Sequence, residues 1–189
     1  MRPEALGGFV LRTFLWLPVC FAAWYAAAPY HGLVAGTLAR AVIEPFGSGL
    51  VTSLERSGFD LEFVTGIAVR AGTGQPAILA PEVNPLLYTY GLAFFAALML
   101  AARASVWKLL AGALALLPFQ AAGIAFDFLV QVAVKSGPEV AASVGLLGGT
   151  RELIALGYQL GSLIFPTLIP VVLWAAFNRA FIERMLRPK

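Results

Sequence analysis

The sequence predicts an all-α membrane protein: a four-helix transmembrane bundle with a small extracytoplasmic β-hairpin and an interfacial helix between its first and second helices. Three observations predict it. Residues 13–30, 85–102, 107–126 and 153–177 are apolar runs with few or no charges, each about long enough to cross a hydrocarbon core of about 30 Å. Hydrophobic residues make up 60% of the 189-residue chain and charged residues 12%, a balance far from that of soluble domains. Strict apolar alternation, the period of a strand, appears between the first two runs over residues 59–70. Residues 1–189 therefore read as a single integral membrane domain with an extracytoplasmic insert at 31–84.

The first run is expected to stay in the mature protein. Arg12 precedes it and Ala26, Ala27 and Ala28 follow, as in a signal peptide. Its apolar stretch exceeds a typical h-region of about 7 to 15 residues, however, and Pro29 stands just past the best cleavage point. Cys20 lies inside the run behind Val19, which excludes a lipoprotein signal. As the only cysteine, it also excludes an internal disulfide or a cysteine zinc cluster.

Basic residues orient the bundle. Arg2 and Arg12 lead into the first run, Arg103 and Lys108 crowd the short second connection, and Arg179, Arg184, Arg187 and Lys189 follow the fourth run. Arg40, Arg56, Arg70, Lys135 and Arg151 are spread over much longer connections among most of the acids. The denser basic segments belong in the cytoplasm, so both termini are expected there. Orientation thus accounts for the net charge of +3. With no basic stripe interleaved with aromatic residues, nucleic acid is not an expected partner; the lipid bilayer is.

Within the insert, Leu33, Val34, Leu38, Ala41, Val42 and Phe46 recur at helical spacing with Arg40 and Glu44 between them. That suits a helix lying in the membrane interface and broken near Pro45. After Gly58, Phe59, Leu61, Phe63, Thr65, Ile67 and Val69 point one way while Asp60, Glu62 and Arg70 point the other. Ala71 to Gln75 supplies turn glycines, and residues 76–83 return as a second, edge-like strand. An isolated hairpin is marginal, so its apolar face is expected to rest on the bundle, the lipid or a partner.

Polar residues in lipid require a reason. Gln120, Asp127 and Gln131 fall on one helical face, and Glu82, Asn84, Tyr88 and Tyr90 mark the outer end of the second run. At 1.5 Å per residue, Gln120 and Gln159 reach similar depth and are candidates to pair. Two accounts stand side by side. In one, Asp127 pairs with Arg151 and the glutamines join helices; in the other, Glu82, Asn84, Tyr88, Gln120, Asp127, Arg151, Tyr158 and Gln159 form an outer-leaflet recess that receives a partner. Gly157 and Gly161 make a GxxxG pattern for close helix packing. Pro118, Pro166 and Pro170 are expected to bend their helices.

No catalytic set is evident. Cys20 and His31, eleven residues apart, share a helix face but stand about 16 Å apart along the axis, far beyond contact for a thiol and an imidazole. HExxH, GxSxG, CxxC and P-loop patterns are absent, which removes the usual signatures of metal hydrolysis, acyl transfer and nucleotide use. Neither a metal nor a cofactor is expected. A small intramembrane enzyme using Asp127 or Glu82 as acid or base is the alternative from another class. A transporter subunit is a third reading, but the inner halves of the runs offer almost no polar path.

The stretches 14–18 (FLWLP), 82–91 (EVNPLLYTYG), 118–121 (PFQA), 155–162 (ALGYQLGS) and 174–179 (WAAFNR) resemble the exosortase H-associated membrane proteins, over nearly the whole chain. The resemblance implies a multi-pass protein of the bacterial inner membrane. It would accompany an exosortase, a transpeptidase-like membrane protease that processes proteins with a C-terminal sorting signal near the outer face. Exosortases bring together a cysteine, an arginine and a histidine near the membrane edge. This chain departs from that pattern, with Cys20 mid-run and His31 at the very start of the long insert. It therefore resembles the companion, a non-catalytic accessory subunit, rather than the protease.

Overall fold

In the computed structural model, which describes residues 3–70 and 75–186, the first helix does not stop at Tyr30. Helix α1 runs unbroken over Pro3–Ile43, 41 residues, about 60 Å at the α-helical rise and twice the thickness of a hydrocarbon core. The interfacial helix expected after residue 31 is therefore the upper part of α1. Its three- and four-residue spacing has another cause: Ala35, Ala39 and Ile43 are buried, while Leu33, Val34 and Leu38 on the other side are exposed. A helix lying on lipid and one standing with protein against one flank produce the same periodicity. Pro45 sits in the short 3₁₀ turn Glu44–Phe46 that follows α1.

Five strands come next: β1 (Val51–Ser57), β2 (Asp60–Thr65), β3 (Ala68–Arg70), β4 (Pro76–Ile78) and β5 (Glu82–Val83). β2 pairs with β5 and β3 with β4, all antiparallel. Bonds from Phe63 N to Pro81 O (3.0 Å) and from Leu79 N to Ile67 O (2.9 Å) join the two pairings. Of the turn expected at residues 71–75, all but Gln75 lies outside the described residues, as do the basic residues Arg2, Arg187 and Lys189. β1, which the alternation did not predict, adds to the other edge of β2 through a two-residue turn. Gly58 opens that turn at φ +64°, a conformation costly for other residues.

The remaining elements are helical. α2 (Leu86–Thr89) and α3 (Gly91–Ala101) form a short descending segment. α4 (Val106–Val130) ascends and continues as a π-helical turn, Gln131–Lys135. α5 (Pro138–Ser143) leads to α6 (Gly149–Gln159), which joins α7 (Phe165–Phe177) through a second π turn at Leu160–Ile164. Pro166 has no N–H to offer the preceding turn, and on either side of it hydroxyls bond carbonyls one turn back: Ser162 Oγ donates to Tyr158 O (2.8 Å) and Thr167 Oγ1 to Leu163 O (2.6 Å). α8 (Arg179–Leu186) ends the described chain.

Among the described residues, three helical stretches are long and apolar enough to cross a membrane: Leu6–Phe46, Val106–Lys135 and Gly149–Phe177. The fourth, Leu86–Ala101, is shorter, about 24 Å by its rise. The sheet fills the space above it. α4 overruns its expected end at Phe126 because Phe128, Leu129, Val132 and Ala133, all with no exposed surface, pack beneath that sheet. Phe63 of β2 meets Phe128 with ring centroids 5.2 Å apart, and Leu61 occupies the space a side chain at Gly36 would need. One continuous core joins Ile43, Leu61, Phe63, Phe128 and Ile154; each such side chain contributes about 1.5–3 kcal/mol on full burial. The strands therefore rest on the helices of their own chain.

At the opposite end, Phe9 stacks on Trp174 (5.3 Å) and meets Phe181 (5.4 Å). Arg12 Nε donates to Ala101 O (3.0 Å) and Lys108 Nζ to Phe177 O (2.8 Å). The first and last helices of the described chain thus meet at the end away from the sheet.

Candidate functional site

Polar side chains from three helical segments meet at the base of the sheet. Asn84 Oδ1 accepts from Leu86 N (3.0 Å) and so starts α2, which directs Tyr88 inward at 2% exposure. The Tyr88 ring lies where a side chain at Gly123 would stand, so only glycine permits this approach to α4. One turn further along α4, Asp127 (7% exposed) faces the Tyr88 hydroxyl. Gln131 closes the group, its Nε2 donating to Asp127 Oδ1 (3.3 Å) and to the Glu82 carbonyl (2.8 Å). Glu82 therefore contributes its backbone, while its side chain is exposed. Tyr158 of α6 borders the group, with the Lys135 ammonium 5.8 Å from its ring centroid, within cation–π range.

Gln120 stands apart from these. It is 3% exposed, and its Oε1 lies 2.8 Å from His31 Nε2; an amide oxygen only accepts, so the ring nitrogen donates. Gln120 Nε2 is buried with no hydrogen-bond partner among the described residues. It adjoins a narrow gap lined in part by Phe119, Phe165, Pro166 and Pro170. The expected pairing of Gln120 with Gln159 is not made. Gly157 and Gly161 face α4, and Gln159, two residues from each, is rotated about 200° away and is exposed. The Asp127–Arg151 pair is not made either: Asp127 bonds Gln131 in its own helix, and Arg151 is exposed in the first turn of α6.

The two glycines of the GxxxG pattern act inside the chain. A side chain at Gly157 would enter the Phe126 ring, and a Cβ at Gly161 would stand 2.8 Å from Gly123 Cα. Cys20 is buried against Ala93 and Ala97 of α3, while His31 bonds across to α4. No cluster of histidine, cysteine and carboxylate side chains able to hold a metal occurs among the described residues.

A concave surface of about 910 Å³ lies at the sheet-bearing end. Its walls are the β3–β4 strands at Ala68, Val69 and Pro76 and the segment from Ser136 through Glu139 to Ser143.

A family model described as exosortase H-associated membrane protein matches residues 3–181. The chain belongs to this family. No curated protein and no solved structure matches it. The family's name associates its members with an exosortase system and with a membrane, in keeping with the three helices among the described residues that are long and apolar enough to cross one. It describes an association rather than a reaction. In this family member, the stretch at 82–91 builds the path from β5 into α3 and carries Asn84 and Tyr88, 118–121 carries Gln120, and 155–162 carries both packing glycines. The sequence reading missed the His31–Gln120 bond. Its signal was present: a lone histidine at the end of an apolar run and an intramembrane glutamine each require a partner.

Proposed function

We propose that this chain is a non-catalytic accessory subunit of an exosortase protein-sorting system in the bacterial inner membrane. It crosses that membrane four times, with both termini in the cytoplasm, and its sheet-bearing end docks the exosortase or its sorting-signal substrate. The observation that carries this reading is the dome at that end. Its apolar core extends beyond the start of the short α2 segment, held by α1 and α4, and its top opens into a groove of about 910 Å³. A segment that merely joined two helices would need no core of its own.

The fourth crossing falls to Leu86–Ala101. Its length of about 24 Å falls short of the core thickness, a mismatch that local thinning accommodates at a fraction of a kcal/mol per Å. The buried polar group at the dome's base holds the sheet in place through Gln131, so its members act as positioning residues for the docking surface. The test is co-purification in mild detergent from cells that also make the exosortase and a sorting-signal protein. Either should be retained by the native chain and lost with Val140→Trp, which fills the groove. Recovery of neither across several lipid compositions would overturn the reading.

A further inference from the structure

A second concave surface lies at the terminus-bearing end, far from the docking groove and independent of the proposal above. Its volume is about 450 Å³, and Val172, Ala175, Ala176, Arg179, Ile182 and Glu183 line it. It occupies the elbow between α7 and α8. Asn178, 6% exposed, sets that elbow: its Nδ2 donates to Trp174 O (2.9 Å) and approaches Met99 Sδ (3.1 Å). Its own carbonyl accepts from Phe181 N and Ile182 N to start α8. Lys108 Nζ holds the last carbonyl of α7 from the α4 side. On α8's inner face, Phe181 and Met185 pack against the cluster of Phe9, Leu98 and Ala101. The elbow is therefore built from four separate anchors.

The groove's chemistry divides along its length. Its lower walls, Val172, Ala175 and Ala176, belong to a helix apolar enough to face lipid. Its rim carries Arg179 and Glu183, both exposed. One turn apart, these side chains stand about 5–6 Å apart at their Cβ atoms. We infer that the elbow binds one aminophospholipid, with an acyl chain along Val172 and Ala176, the phosphate on Arg179 and the primary ammonium on Glu183. An anionic headgroup without an amine would meet Arg179 and be repelled by Glu183. A choline headgroup would present a positive charge with no N–H to donate. The paired rim selects a headgroup that carries a phosphate and a hydrogen-bonding ammonium at short separation.

Native mass spectrometry of the full chain, released from detergent after incubation with equimolar phosphatidylethanolamine, phosphatidylglycerol and phosphatidylcholine, tests this directly. The native chain should keep one phosphatidylethanolamine through delipidation, in about tenfold preference to the other two. Arg179→Ala should lose all three lipids. Glu183→Gln should abolish the preference for the ethanolamine headgroup while phosphatidylglycerol is retained at least as well as before. Ala176→Phe, which fills the apolar wall and leaves the rim charged, should lose retention with an unchanged helical spectrum. Equal retention of the three lipids by the native chain, or a preference that survives Glu183→Gln, would overturn the assignment.

Discussion

Replacing Gly161 by alanine adds one methyl group where two backbones nearly touch. The new Cβ would lie 2.8 Å from Gly123 Cα, an atom that cannot rotate away, so the two helices must move apart by several tenths of an ångström. Overpacking of this kind costs about 1–3 kcal/mol, against a helix-propensity gain for alanine of up to about 1 kcal/mol. The net expectation is a loss of about 1–2 kcal/mol, or a Tm lower by about 2–8 °C for a chain of this size. Gly7→Ala supplies the control, because nothing lies within 4 Å of a Cβ at Gly7 in α1 and only the propensity gain remains. Thermal unfolding in one detergent, followed by the far-ultraviolet helical signal, should move the two variants in opposite directions. A Gly161→Ala protein as stable as the native chain would refute the close approach of α4 and the π turn.

Other consequences are as direct. Arg103 is the one non-glycine with positive φ among the described residues, at 53°. It closes α3 through bonds from Arg103 N to Leu100 O and from Ala104 N to Met99 O, so Arg103→Gly should raise Tm by about 2–4 °C in the same unfolding assay. Gln131→Leu removes the donor that holds the Glu82 carbonyl; hydrogen exchange over residues 79–83 should quicken about fivefold, the equivalent of about 1 kcal/mol. In a Cys20→Ala background, Ser57→Cys should react with a membrane-impermeant maleimide added to spheroplasts, and Arg184→Cys should react only after lysis.

How far the sequence could be read follows from which physical signals are local. Apolar length located the long helices, and alternation located β2 and β3, because both signals reside in one segment and need no neighbour. The buried side of α1 above residue 31 gave a true helical period, yet the pattern could not say whether lipid or protein covered it. β1 escaped because Val51–Ser57 holds polar and charged residues at most positions and becomes a strand through pairing with β2. The polar Asp127 and Gln131 look like a water boundary and so predict an end for α4 that is too early; here they bond each other and the sheet, and the helix continues buried. Residue depth brought Gln120 and Gln159 to one level but not to one face. The nearby glycines carried the missing phase, since whichever side holds Gly157 and Gly161 turns Gln159 away.

A photo-reactive residue at Glu139, exposed on the groove wall, compared with one at Arg184, exposed at the opposite end, tests the central claim most directly. In cells that also make the exosortase and a sorting-signal protein, irradiation should join one of these to the chain from position 139 and neither from position 184. No adduct from position 139, or equal adducts from both positions, would contradict docking at the sheet-bearing end.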